Sequence, residues 1–600
     1  VRRLPRRSAK REVGRLLVAA GTCALVLLFI VIITGGFTIR AGPLYFSAHN
    51  WRGPALIALV AFGAAAFAGR ATFLNAASST WNFVDEHALA IVTVVAAATA
   101  GVGVGYGTYS ASGSDASGYI SEAQLLSSAR IAIEEPLAQQ VAWPNATWAF
   151  SPLGYRPGRT AGELVPTYPA GLPLSIAPVF LLENELAAYL VVPFLGAFAV
   201  LFTYALGARL HSRPAGIAAA ALLATSPVFL FQLVQPMSDV AVTAWWALAF
   251  VFALSPVPGS PLAAGAAAGL AVLTRPNLLP LAAIVALAVI NWPRGGHDRR
   301  LQRRTVFAFV AGIAPAIGVF VFLQWRLYGS PFMSGYGSAG ELFAGSNIAP
   351  NISAYANRVL HGERAALGLA TLAVILLLVR RGHGEDSPGL KRPLVLATLA
   401  AGMVVVLYMP YAVFAEWSYL RFLLPAFPLL FVLVGALLVN ASLRLPSPIR
   451  GLVFIAALTI ACSLNILLAD QEQAFNLRRY ESRYRMAGAY LKAALPSDAV
   501  IVAVQESGSA RYYVGVPILR WDQLDVDLDT ALAAMLAIGR HPVLLVEDWE
   551  TPDLRMRFPT SANARLDWPA RAEFGDETRV RLFDPTDRGA TRDWPADRVH

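Results

Sequence analysis

From about residue 14 to residue 468 the chain runs through one apolar stretch of membrane-spanning length after another, and this constrains its fold more than any other feature. Hydrocarbon offers no partner to a backbone N–H or C=O, so such stretches must be helices that satisfy their own polar groups. With 56% of its residues hydrophobic and 14% charged, the chain cannot be a string of soluble domains. Apolar length places thirteen spans, at 14–36, 54–73, 87–107, 186–208, 215–235, 240–255, 261–274, 277–292, 305–325, 365–380, 393–413, 422–441 and 451–468.

Loop charge gives an independent check on these spans. Starting from a cytoplasmic amino terminus, alternation puts "GARLHSR", "PRGGHDRRLQRR", "RRGHGEDSPGLKR" and "LRLPSPIR" all in the cytoplasm, as the positive-inside rule requires. The expectation is an integral protein of the cytoplasmic membrane with its carboxyl terminus outside. The opening "VRRLPRRSAKRE" has the charge of a signal-peptide n-region. The apolar stretch behind it runs about 22 residues without a small-x-small cleavage site, so an uncleaved first span is expected. "GLPLSIAPVFLL" (171–182) is too short to span and contains prolines, which suits an interfacial or re-entrant segment. Much of the basic excess sits in the short loops, which argues against a nucleic-acid partner. Cys23 and Cys462 lie inside apolar segments and offer neither a disulfide framework nor a thiolate metal site.

Three regions follow. Residues 1–86 are an amino-terminal cytoplasmic tail with an additional span pair. Residues 87–469 form a transmembrane core with long outer loops at 108–185 and 327–364. Residues 470–600 read as a small extracytoplasmic α/β domain: "RYRMAGAYLKAAL" and "DLDTALAAMLAIGR" as helices, "AVIVAV", "ARYYVGVPILRW" and "HPVLLVEDW" as strands. The fold class is thus a polytopic α-helical membrane protein of about 13 spans with an outer α/β appendage. In the first outer loop, "ISEAQLLSSARIAI" (120–133) has apolar residues at mostly helical spacing and suits a helix lying on the membrane surface. The sequons "NAT" (145–147) and "NIS" (351–353) are expected to be chance.

Polar residues at one membrane edge carry the chemistry. "SGSDASGYISEA" (112–123) puts Asp115 about one turn past an apolar run, with Tyr119 and Glu122 at i+4 and i+7. Alone, Asp115 is equally well a polar helix end, since charge at the edge avoids the bilayer centre. Asp239 in "QPMSDVAV", Arg275 in "LTRPN", Tyr336 in "YGSPFMSGYGS" and Arg421 in "EWSYLRFLLP" fall at the same outer level. Two carboxylates and two guanidiniums at one depth point to a cavity. Asp115 and Asp239 could share a divalent ion through oxygen ligands, but none of the eight histidines lies in the first outer loop, and no cofactor is expected.

"SDASGY", "PTYPAGLPL", "ATSPVFLFQLVQPMSDVAVTAWWALA" and "GLAVLTRPNLLPL", in that order over roughly residues 87–345, resemble the integral-membrane glycosyltransferases of the GT-C superfamily. That superfamily includes dolichyl-phosphate-mannose–protein mannosyltransferases and lipid A aminoarabinose transferases. The resemblance implies sugar transfer from a polyprenyl-phosphate donor to a lipid, glycan or protein acceptor at the outer face. It implies Asp115 as catalytic base and Asp239 as the second acidic residue. Arg275 and Arg421 suit the donor phosphate, because a guanidinium fork matches phosphate oxygens. Tyr119 and Tyr168 could hold the sugar, or serve as interfacial aromatics. The chain departs from the family in its additional span pair. It also has a single aspartate where some members carry an acidic pair, which leaves acceptor and metal use open. The competing readings are a secondary transporter, since intramembrane charges also mark ion paths, and a non-catalytic partner in polysaccharide export.

Overall fold

The computed structural model describes residues 6–34, 37–41, 44–48, 50, 52–67, 70–291, 299–363, 368, 388–589 and 597–599. Among these, five helices are long and apolar enough to cross a bilayer: Ala88–Tyr106, Glu185–Leu210, Arg300–Tyr328, Trp417–Leu443 and Ser447–Gln471. Arg213–Thr225 and Pro227–Leu233, bent by 59° between them, add a sixth if they form one span. The thirteen spans of the sequence reading are not matched one for one, and geometry explains part of the difference. Helices Ser238–Ala253, Ser260–Thr274 and Leu281–Asn291 hold 16, 15 and 11 residues. At 1.5 Å per residue even the first reaches only about 24 Å, short of a hydrocarbon core of ~30 Å. The expected span 365–380 lies outside the described residues.

One apolar core joins Ala88–Tyr106, Val191–Leu210, Arg213–Thr225, Ser238–Ala253, Ser260–Thr274 and Phe427–Leu443. Within it the apolar 18-residue stretch of Trp417–Leu443 is 83% buried, whereas that of Arg300–Tyr328 is 6% buried and presents its apolar surface outward. Ser260–Thr274 packs backbone to backbone on that outer helix. A Cβ on Gly265 would stand 2.1 Å from the Phe309 carbonyl, and one on Gly312 2.1 Å from that of Leu262. Small residues permit this approach, which suits helices that cannot rely on the hydrophobic effect between them.

The segment 108–185, expected to be an outer loop, is folded. Its parts are the helix Asp115–Ser127, a three-stranded antiparallel sheet ordered 133–134, 163–166, 155–157, and the helix Gly171–Phe180. The sequence reading put a surface helix over 120–133; the helix instead starts at Asp115, stops at Ser127 and turns inward. Tyr119, Ile120 and Ala123 join the main core against Tyr168, Leu172 and Ile176. Its apolar face found a protein partner rather than lipid.

Residues 477–599 contain a six-stranded mixed sheet, ordered 597–599, 572–574, 580–583, 541–547, 499–502, 518–519. The strands Ala499–Val502 and His541–Glu547 run parallel with His541 opposite Ala499, buried as near-continuous apolar runs are in parallel pairs. Helices Leu477–Ala494, Ser507–Val514 and Leu528–Ala537 accompany the sheet. The first five residues of "ARYYVGVPILRW", read as a strand, are instead the end of the helix Ser507–Val514, which stops at Gly515 in the left-handed region (φ +82). Only Ile518–Leu519 is strand. This unit sits on the segment 108–185: the Tyr513 hydroxyl accepts from Ala111 N at 2.8 Å, Arg520 N donates to the Ala149 carbonyl at 2.6 Å, and Arg511 pairs with Glu135 at 3.2 Å.

Candidate active site

Helix ends place the charged groups. Asp115 is the first residue of its helix, reached through Gly113 in the left-handed region (φ +53). Asp239 lies in the first turn of Ser238–Ala253, after the extended Met237. At both positions the unpaired N–H groups and helix dipole favour a carboxylate. Arg275 is extended (φ −145, ψ 91) and precedes Pro276. A residue before proline is kept out of the helical region, so the helix ends at Thr274 and the guanidinium turns into the protein. Arg421 sits in the 3₁₀ turns Trp417–Ala426, which lead into Phe427–Leu443.

The four charges form one chain. Arg421 Nη2 donates to Asp115 Oδ2 at 2.8 Å, and its Nη1 lies 4.0 Å from Asp239 Oδ2. Arg275 Nη2 donates to Asp239 Oδ1 at 2.5 Å, and its Nη1 to the Tyr408 hydroxyl at 3.3 Å. The Phe422 ring faces both guanidiniums, at 5.3 Å from Arg275 and 5.4 Å from Arg421. The two aspartates differ in access: the side chain of Asp115 is 32% exposed and that of Asp239 1%. Asp115 can meet a ligand; Asp239 is sealed behind its arginines.

Aromatic residues complete the wall. Tyr119 donates to Ser238 Oγ at 2.9 Å, tying the first loop to the Asp239 turn, and Tyr168 bonds Ser114 Oγ at 2.6 Å. Their rings tilt together at 4.9 Å, and Tyr336 meets Tyr168 edge-on at 5.9 Å. Burial first, and the Asp115 carboxylate second, push both the Tyr119 and Tyr168 phenols above the ordinary tyrosine range, so both stay protonated. Gly118 makes room for this arrangement, since a Cβ there would stand 2.4 Å from the Tyr168 ring.

All seven residues singled out in the sequence, Asp115, Tyr119, Tyr168, Asp239, Arg275, Tyr336 and Arg421, line one cavity of about 750 Å³. Its far wall is apolar, built from Ile317, Phe320, Val321 and Leu327 of the outward-facing helix, with Phe332 87% exposed beside it. Sequence reading missed Ser238, Tyr408, Tyr411 and Phe422 as cavity residues. Phe422 adjoins Arg421 and was within reach of inference; "LYMPYAV" gave no signal that its tyrosines face the site. Among the described residues no three His, Cys, Asp or Glu side chains are placed to hold a metal ion. Guanidiniums already face both aspartates, and two fixed cations beside the carboxylates repel a divalent ion.

Residues 169–325, which include Asp239 and Arg275, match the family model described as dolichyl-phosphate-mannose-protein mannosyltransferase. No curated protein sequence matches the chain. Among solved structures it resembles ArnT from Cupriavidus metallidurans bound to undecaprenyl phosphate, with 14% identity, a TM-score of 0.53, and coverage of 84% of this chain and 98% of that one. The apo state of ArnT gives 13% identity, a TM-score of 0.51, and 82% and 97% coverage. The archaeal oligosaccharyltransferase AglB from Archaeoglobus fulgidus, in complex with an inhibitory peptide and a dolichol-phosphate, gives 12% identity, a TM-score of 0.50, and 83% and 74% coverage. This chain shares the fold of these structures, and the resemblance to the GT-C superfamily read from its sequence is borne out.

Proposed function

We propose that this protein moves a sugar from a polyprenyl-phosphate donor to an acceptor at the outer face of the membrane. The observation that carries the reading is the Asp115–Arg421–Asp239–Arg275 chain in a cavity with one accessible carboxylate and one apolar wall. The structural neighbours bound to undecaprenyl phosphate and dolichol-phosphate support the donor class.

The chemistry follows from charge. A prenyl-phosphate sugar is a phosphodiester with one negative charge, and the departing prenyl phosphate carries two. Arg421 and Arg275 supply fixed positive charge where the second negative charge develops, so no proton need be given to the leaving oxygen. The anomeric carbon passes through an oxocarbenium-like state. An acceptor oxygen attacks it, the carbon–phosphate oxygen bond breaks, and Asp115 takes the acceptor proton. Asp239 serves the reaction by holding Arg275 and orienting Arg421. Tyr119, Tyr168 and Tyr336 offer ring faces and edges for the sugar. The prenyl chain would lie along the apolar wall of the outward-facing helix.

In this reading residues 1–86 are a cytoplasmic tail with a span pair, residues 87–469 the catalytic core, and residues 470–600 an extracytoplasmic domain over the first loop. The bilayer is the donor's solvent, and a lipid, glycan or protein is the acceptor. The test uses purified protein in vesicles, a sugar-labelled polyprenyl phosphate, and membranes lacking the gene as the acceptor source. One polyprenyl phosphate should appear for each sugar transferred. Labelled donor crossing the vesicle with its phosphate–sugar bond intact would instead establish transport.

A further inference from the structure

Glu122 stands apart from every other carboxyl in the cavity. It lies two turns beyond Asp115 on the same helix, lines the same cavity, and is only 3% exposed. Its Oε2 is buried with no hydrogen-bond partner, and among the described residues no lysine or arginine pairs with it. The Tyr328 phenol is committed elsewhere, donating to the Pro166 carbonyl at 2.7 Å. A buried polar group without a partner costs free energy, so it is expected where a ligand completes it. Burial alone raises this carboxyl well above the ordinary glutamate range. It therefore offers one O–H donor and one acceptor oxygen, the complement of a sugar hydroxyl.

We propose that Glu122 is a specificity residue that exchanges hydrogen bonds with one hydroxyl on the far edge of the donor sugar, while Asp115 works at the anomeric end. The inference rests on the donor class proposed above. Seven residues of helix separate the two carboxyls by about 10 Å along the axis, too far for both to touch the reacting atoms and suited to opposite ends of a bound sugar. An ammonium group would be the other natural partner of a carboxyl. It would require the ionised form, and the glutamine variant distinguishes the two.

Equilibrium binding of a polyprenyl-phosphate sugar is measured alongside a set of analogues each lacking one hydroxyl, for wild type, Glu122→Gln and Glu122→Leu. Wild type should bind one deoxy analogue more weakly than the parent, and Glu122→Gln should keep both the affinity and that discrimination. Glu122→Leu should lose about tenfold in affinity for the parent, the value of one or two neutral hydrogen bonds, and bind parent and analogue alike. Equal affinity of all three proteins for the parent would overturn the inference. So would a glutamine variant as weak as the leucine one, which would indicate a charged partner. Because binding is read directly, discrimination that depends on Glu122 in a protein that transfers no sugar would uphold this assignment and defeat the transfer reaction.

Discussion

Asp239 and Arg275 should behave as a single unit when either is removed. Their side chains are 1% and 11% exposed and 2.5 Å apart, so deleting Asp239 leaves Arg275 charged, buried and without its carboxylate, and deleting Arg275 leaves Asp239 buried with only Arg421, at 4.0 Å. That situation costs about 3–5 kcal/mol. Arg275 would retain only the 3.3 Å bond to the Tyr408 hydroxyl and the Phe422 ring. Asp239→Ala and Arg275→Ala should each lower stability by that amount. The apolar pair Asp239→Leu with Arg275→Met should recover most of the loss, because both charges then leave the interior together. Asp115→Ala, by contrast, removes a side chain 32% exposed and should cost about 1 kcal/mol. The assay is reversible unfolding in mixed micelles of the wild type, the three single variants and the double variant. Single losses under about 1 kcal/mol, or a double variant as unstable as the sum of the singles, would refute the reasoning, since contacting charges must couple.

Two further outcomes follow from the fold. Reporter fusions at residues 300 and 480 should report opposite sides of the membrane, because loop charge puts the first inside and the sheet-bearing tail outside; signals from the same side would end this topology. Glu550, buried in the carboxyl-terminal unit, is pushed by burial from 4.5 to about 7 despite accepting hydrogen bonds from the Glu547 and Gln505 N–H groups. A carboxyl raised in the folded state holds its proton where the unfolded chain has lost it. Stability of this unit should therefore fall as pH rises from about 4.5 to about 7 and level off above. Glu550→Gln should flatten that slope, as hydrogen exchange of the strand His541–Glu547 across the pH range would reveal.

The candidate site was legible because it gathers charged residues, which are rare beside membrane-spanning apolar runs and costly within them. Asp115, Asp239, Arg275 and Arg421 could be singled out without knowing their partners, since four charges near apolar runs need a common reason. Arg275 was the clearest, because the proline behind it ends a helix wherever it stands. The pairing was not legible: nothing in the sequence says that Arg421 turns toward Asp115 rather than toward solvent, because 306 residues separate them. Helix type was readable but helix role was not. Apolar length cannot distinguish a span from a short helix sealed inside the bundle, as Ser238–Ala253 is, since burial by protein and burial by lipid select the same side chains. The surface helix expected at 120–133 failed for the same reason. Glu122 was visible as the i+7 partner of Asp115, yet its lack of any protein partner emerges only once the surrounding chain is in place.

The central claim is that Asp115 is the base for sugar transfer and not a polar helix end. Asp115→Asn keeps the size and much of the hydrogen bonding toward Arg421 while removing the proton acceptor. Sugar transfer from a polyprenyl-phosphate donor should fall by about 10²–10⁴, the usual contribution of a general base, with donor affinity and unfolding midpoint held near wild type. A folded Asn variant that transfers sugar at close to the wild-type rate would contradict the account.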